Sequence, residues 1–547
     1  MSDNQRLLTI DGLFIEGYQD EQWRQVVKGV SLHLDRGQVL GLIGESGAGK
    51  SMIGLASMGY TKPGCRITSG SIEFDGVELV GADQETLRKL RGTRIAYVAQ
   101  SAAASFNPAH KLIHQFAETA VQQGLMSYAE AEKKAKELFR RLDLPDPENF
   151  GNRYPHQVSG GQLQRCMVAM AMACNPDLII FDEPTTALDV TTQIEVLGAI
   201  KEVIGAYGTA AIYITHDLAI VAQIADRIMV LRHGEEVETG DTRAVINSPK
   251  KDYTRALLAV RKHRGETVDH GHQDIILEVQ NVTAAYGNKF VVLDGVSTKI
   301  ERGKTVSVVG ESGSGKSTLA RVITGLLPPI GGEVRFQGQL IPPGMKGREK
   351  EVFRRMQMIY QMADTALNPK HRVRKIIGRP LSFYFGMTGK KREDRIIELL
   401  DKIELGEKYL DRFPGDLSGG EKQRICIARA LAAEPELIIC DEITSALDQL
   451  VAGGILKLLQ NLQNELAVSY LFITHDLDTV KAISDEIVVM HRGKVVEQGP
   501  AQAILNPPYE PYTDLLLSSA PQMDPSWLPK VMQHRRELAA KGINLQT

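Results

Sequence analysis

Two glycine-rich stretches are where chemistry can start. Gly44, Glu45, Ser46, Gly47, Ala48, Gly49, Lys50 and Ser51 follow one apolar run. Gly310, Glu311, Ser312, Gly313, Ser314, Gly315, Lys316 and Ser317, with Thr318 next, follow another. Glycines let successive backbone N–H groups turn inward around phosphate, and the helix that opens at the lysine offers its positive end. In such a loop Lys50 and Lys316 reach the β- and γ-phosphates of a nucleotide, and the Ser51 and Ser317 hydroxyls ligate Mg²⁺.

The carboxylate pairs Asp182–Glu183 and Asp441–Glu442 end apolar runs, where an unpaired acid is expensive. Asp182 and Asp441 are expected to hold Mg²⁺ through water, and Glu183 and Glu442 to orient or deprotonate the attacking water. His216 and His475 each follow a further apolar run beside a threonine and an aspartate. Either alone reads as a satisfied core histidine; repeated, they read as γ-phosphate sensors. Gln100 and Gln361 end strands, and Asn107-Pro108 and Asn368-Pro369 follow each seven residues later. This repeated loop is a candidate partner contact that also touches Mg²⁺.

These residues recur because the sequence recurs. Ser159 and Ser418, Asp182 and Asp441, and His216 and His475 are each 259 residues apart, while Lys50 and Lys316 are 266 apart. A period of this size marks a duplicated domain rather than a solenoid. The expected division is 5–260 and 274–520, a polar linker at 261–273, and a tail at 521–547. His263, His270 and His272 in the linker region have no cysteine or carboxylate framework nearby, which favours a solvated connection over a metal site.

Each copy reads as α/β. Val39–Ile43 and Thr305–Val309 are strands feeding the glycine-rich loops, and Leu178–Phe181 and Leu437–Cys440 are unbroken apolar strands of a parallel sheet. Helices are expected over Gln162–Ala173 and Lys422–Ala433. Helical segments near 110–145 and 372–406 leave room for a small helical subdomain. Residues 524–547 read as a short surface helix.

Composition narrows the classes further. The chain of 547 residues suits two to four domains, and 64 basic against 67 acidic residues give a net charge of −3. That balance lacks the basic excess of a nucleic-acid groove, so no nucleic-acid partner is expected. The five cysteines lack metal-ligand spacing and read as free thiols of a reducing compartment. The first ten residues show no signal-peptide pattern, and no apolar run approaches the roughly 20 residues of a spanning helix.

With Ser159, Gly160 and Gly161 heading one SGGxxxR block, and Ser418, Gly419 and Gly420 the other, the chain resembles the ATP-binding-cassette family over roughly 5–260 and 274–520. The resemblance implies tandem P-loop cassettes, each with a RecA-like α/β core, an antiparallel β subdomain and an α-helical subdomain. It also implies ATP with Mg²⁺, and head-to-tail pairing. ATP on Lys50 would be capped by Ser418, Gly419 and Gly420, and ATP on Lys316 by Ser159, Gly160 and Gly161. Thr186–Asp189 and Ser445–Asp448 would be the crossing loops.

The closer resemblance is to fused ATPases of dipeptide and oligopeptide importers, carried by the Asn-Pro loops and by tails at 247–260 and 506–521 that share a tyrosine-threonine pair. It implies two membrane permease subunits, an extracytoplasmic solute-binding protein as an indirect partner, and a seat on the cytoplasmic face of the bacterial inner membrane. Tyr286 fits the family's adenine-stacking aromatic, whereas the first copy has Gly17 there, with Tyr18 adjacent and Trp23 further on. Ile443 stands where the first copy has Pro184. No cysteine follows Cys440, so no iron–sulfur cluster is expected. The alternative is a soluble twin-cassette ATPase acting on ribosomes or nucleic acid, for which the linker is short and zinc-binding cysteines are lacking.

Overall fold

The computed structural model describes residues 6–19, 21–186, 188–259, 274–287, 290–445 and 447–540. The chain forms two compact units, residues 1–259 with 521–547, and residues 260–520. The linker at 261–273 with its histidines, residues 541–547, and Ala187 and Ala446 in the expected crossing loops lie outside the described residues.

Val39–Ile43 and Thr305–Val309 are buried at every position, so both faces demand apolar side chains. Each lies between two parallel neighbours, Ala210–Thr215 and Arg227–Arg232 in the first unit, Ser469–Ile473 and Glu486–His491 in the second. The carboxylate strands Leu178–Asp182 and Leu437–Asp441 pair next, followed by Ile95–Val98 and Met356–Ile359. An antiparallel strand, Glu235–Asp241 or Lys494–Pro500, completes six. The parallel strands thus all end on one edge, where sites in α/β sheets form.

A four-stranded antiparallel sheet covers this one in each unit, built on the hairpins Arg6–Gln19 with Gln22–Asp35, and Ile275–Tyr286 with Phe290–Glu301. Leu8, Ile10 and Leu34 of the first hairpin share one core with Leu40, Ile180 and Ile212 of the parallel sheet. Val279 and Val296 meet Val308 and Leu471 in the same way. The helical subdomains comprise Leu112–Gln122 with Tyr128–Arg141, and Val373–Phe385 with Gly389–Lys402.

The edge opposite the loops is pinned by charge. Arg302 precedes Thr305–Val309, Arg355 and Glu436 precede the paired strands Met356–Ile359 and Leu437–Asp441, and Glu436 pairs with both arginines, with Arg302 at 2.6 Å. Arg36, Arg94, Asp75 and Asp177 form the corresponding cluster in the first unit. All five cysteines are unpaired. Among the described residues no helix is long and apolar enough to cross a membrane.

The expected surface helix near the C-terminus is a helix at Trp527–Ala540, but its first turns are not on the surface: Trp527, Leu528 and Val531 are buried in the first unit. Spaced at i, i+1 and i+4, they give this helix an apolar face that must be covered.

Candidate nucleotide site

Each glycine-rich loop leaves its strand and wraps the lysine of the helix that follows. Lys50 Nζ donates to the Gly44 carbonyl at 2.6 Å and to that of Glu45 at 2.9 Å; Lys316 repeats this with Gly310 at 2.8 Å and Glu311 at 2.7 Å. Gly44 and Gly310 cannot be anything else. A Cβ would sit 2.1 Å from the Leu231 carbonyl oxygen, or 2.2 Å from that of Met490, at φ values of 156° and 151°.

Ser51 Oγ donates to Asp182 Oδ1 at 2.8 Å, and Ser317 Oγ to Asp441 Oδ1 at 2.9 Å. A hydroxyl and a carboxylate beside a phosphate cradle form the hard oxygen donor set that suits Mg²⁺, which takes one or two carboxylates plus substrate phosphates. Burial, with the neighbouring Glu442, pushes the Asp441 carboxyl up.

Glu183 and Glu442 stand in left-handed backbone, at φ 50° and 49°, where few non-glycine residues rest. Their N–H groups donate to the Ile214 and Ile473 carbonyls at 2.9 Å, which holds the strained turn against the next strand. His216 Nδ1 lies 3.3 Å from Glu183 and His475 Nδ1 3.5 Å from Glu442. Burial would push the Glu183 carboxyl up, but His216, Lys50 and Thr186 outweigh it and hold it below the usual range. Burial would push His475 down, and the Glu442 carboxylate reverses that, holding its imidazole above the ordinary value.

The threonine and aspartate around each histidine shape its turn. The Asp217 N–H donates to Thr215 Oγ1 at 3.1 Å, and Asp217 in turn caps the helix Leu218–Ile224; Asp476 and Thr474 do the same at 3.0 Å. Gln100 Nε2 donates to Glu183 at 3.4 Å and Gln361 Nε2 to Glu442 at 2.7 Å. Loop, carboxylates, histidine and glutamine therefore converge on one sheet edge in each unit.

The serine-glycine-glycine residues do a different job. Ser159 and Ser418 cap the helices Gly160–Ala171 and Gly419–Leu431, each accepting from the N–H three residues on, in a reciprocal capping box. The two glycines differ. A Cβ on Gly161 would lie 2.1 Å from Thr192, and one on Gly420 2.4 Å from Val451, whereas Gly160 and Gly419 meet nothing closer than 3.5 Å. The second glycine is needed for helix packing; the first leaves the N–H end open to an anion.

With this geometry in view, likeness to known proteins decides the family. The profile described as ABC transporter matches residues 27–186 and 293–445, and one described as oligopeptide/dipeptide transporter, C-terminal region, matches residues 496–542. The chain belongs to the ABC transporter family. Glutathione import ATP-binding protein GsiA of Salmonella choleraesuis (strain SC-B67) is 36% identical over 566 residues, spanning 96% of this chain and 91% of that protein. GsiA of Escherichia coli (strain K12) is 36% identical over 572 residues with the same coverage. This ABC protein is an ATP-hydrolysing subunit of the peptide-importer branch, and the ribosome or nucleic-acid reading is set aside.

Three features of the ABC sites escaped sequence reasoning. Tyr97 donates its hydroxyl to Asp182 Oδ2 at 2.6 Å, whereas Met358, three residues before Gln361 as Tyr97 is before Gln100, cannot do so. Tyr512 of the tyrosine-threonine tail accepts the Glu311 N–H at 3.1 Å and stacks on His491 at 4.1 Å. Tyr253, 259 residues earlier, faces Glu45 under the Arg232 guanidinium. That common offset was the available signal: in each unit the tail tyrosine faces the second residue of the glycine-rich loop.

Tyr286 ends its hairpin 41% exposed, its hydroxyl accepting from Arg321 at 2.8 Å and 3.5 Å from Thr318. In the first unit Gly17 pairs with Arg24, and the exposed rings are Tyr18 and Trp23, 5.3 Å apart, with the Arg66 guanidinium 4.0 Å over Trp23. Ile443 is buried in the core beneath the helical subdomain.

Proposed function

We propose that this ATPase drives uptake of peptides or peptide-like solutes, glutathione among them, while docked on two different permease subunits at the cytoplasmic face of a bacterial inner membrane. A solute-binding protein outside delivers the cargo. The observation that carries the reading is that both units keep a full set of hydrolytic groups on a chain whose C-terminal region is of the oligopeptide/dipeptide kind. The relatives named for glutathione import extend it to the cargo class.

Lys50 and Lys316 bind the β- and γ-phosphates, and the loop N–H groups complete the cradle. Ser51, Asp182 and Gln100 would hold Mg²⁺ in the first site, and Ser317, Asp441 and Gln361 in the second. When bound, the ion would supply positive charge to offset that of the phosphates. Glu183 and Glu442 align the attacking water and accept its proton, while His216 and His475 contact the γ-phosphate. Tyr286 stacks on adenine in the second site. The opposite cassette closes each site, Ser418, Gly419 and Gly420 over Lys50, and Ser159, Gly160 and Gly161 over Lys316. Closure draws the helical subdomains and the Gln100–Pro108 and Gln361–Pro369 loops along, which turns phosphate chemistry into alternating access.

Affinity purification of the tagged chain from solubilised membranes tests this. Recovery of two multispanning proteins is expected, with peptide uptake lost when either Asn-Pro loop is substituted. Fractionation with ribosomes or DNA, and never with membrane proteins, refutes it.

A further inference from the structure

We infer that the C-terminal segment is an intramolecular strap, which locks the end of the second cassette's chain into a seat built only on the first cassette. The chain passes from the second unit to the first between Ala520 and Pro521. Ser519 is buried and bonded to Leu515 within the second unit, and Gln522 is bonded to Gln223 within the first.

The seat centres on Gln223, which is 2% exposed. Its Nε2 donates to the Gln522 carbonyl at 2.6 Å and that of Asp524 at 3.0 Å, and its Oε1 accepts the Leu528 N–H at 3.1 Å. One side-chain amide thus reads the strap backbone at three points. These three bonds are shielded from water, which strengthens the strap's hold on the helix Leu218–Ile224. Beyond it, Met532 lies against Gly198, where a Cβ would come within 3.2 Å of the methionine methyl. Arg535, 6% exposed, donates to Glu195 at 2.7 Å, and the other oxygen of Glu195 lies 3.6 Å from Arg165 of the helix that Ser159 caps.

The internal repeat supplies an independent argument. At the 259-residue offset, Glu195, Gly198 and Gln223 become Gly454, Lys457 and Ala482. The anion, the gap and the amide are all missing from the second copy. The seat is therefore a specialisation of the first cassette rather than a property of the duplicated fold.

The strap makes the pair cohesive through a second connection besides the linker, keeping the partner cassette at high effective concentration between turnovers. This goes beyond the import function and does not depend on the cargo. The test is a full-length chain carrying a specific-protease sequence within 261–273, cut after purification and run on size exclusion without nucleotide. The cut wild-type is expected to elute as the intact chain does. Cut Gln223→Ala/Arg535→Ala, and a cut chain ending at Ala520, are expected to separate into two fragments. Separation of the cut wild-type, or equal cohesion of the cut variants, overturns the proposal. Circular dichroism and ATP turnover of the uncut variants check folding and report the hydrolytic function separately.

Discussion

The Gln361 side-chain amide donates to the Glu442 carboxylate at 2.7 Å, joining the loop that leads to Asn368-Pro369 to the residue proposed to activate water. A partner that moved this loop would move a hydrogen bond on that carboxylate. The same contact in the first unit, Gln100 to Glu183, is longer at 3.4 Å.

Replacing both Glu183 and Glu442 with glutamine is expected to leave ATP binding intact and slow hydrolysis by about 10²–10⁴-fold, the usual worth of a positioned general base. Glutamine preserves shape but cannot take the proton. Single-turnover hydrolysis at the wild-type rate would remove these residues from the mechanism.

Ser418→Arg is expected to disable nucleotide closure at Lys50 and spare the site at Lys316. Ser418 spends its hydroxyl on its own helix cap, so the arginine costs that cap and also fills the anion-facing end of the helix. Photocrosslinked nucleotide, mapped to each loop by mass spectrometry, checks it. Selective loss at Lys316 would contradict the pairing of sites.

Glu436→Gln is expected to destabilise the second unit by about 1 kcal/mol at pH 7, allowing for the solvent that screens the cluster. Burial would push this carboxyl up, but Arg355 and Arg302 hold it below the usual range. Its contribution is therefore complete above the unfolded value of about 4.3 and fades as pH falls through the depressed one. Hydrogen exchange in Leu437–Asp441 should show a wild-type advantage at pH 7 that closes in acid. An advantage that persists in strong acid would assign the effect to packing.

Ser314→Ala is expected to stabilise the second phosphate loop by roughly 1 kcal/mol, because the Ser314 hydroxyl is buried without a partner. The first loop has Ala48 at this place. Thermal unfolding compared between variant and wild-type decides, and a lowered midpoint would show that the hydroxyl is used.

The parallel sheet and its loops were legible in the sequence because buried strands are unbroken apolar runs and a phosphate loop tolerates few alternatives at positions such as Gly44. Gly161 was legible as part of a motif, but its packing against Thr192 was not, since nothing local announces a helix crossing. The left-handed backbone of Glu183 and Glu442 was hidden for the opposite reason: glutamate gives no hint of positive φ, and only the bond to the next strand enforces it. Least legible was the destination of residues 521–540. Gln223 and its partners Gln522 and Asp524 are about 300 positions apart, and periodicity carries no information at that range.

The seating of Trp527 and Leu528 also bears on how such a fused gene arose and how it can be dissected. The midpoint of the sequence looks like a natural place for scissors, yet an amino-terminal half ending at Ala259 would expose the apolar ground that these two side chains cover and leave Glu195 without its Arg535. Such a fragment would present that apolar ground to solvent, and the complementary half would carry Trp527 and Leu528 without their seat. The duplicated halves are no longer independent modules: the first is completed by residues that follow the second in the chain, so its maturation waits until the second has been made.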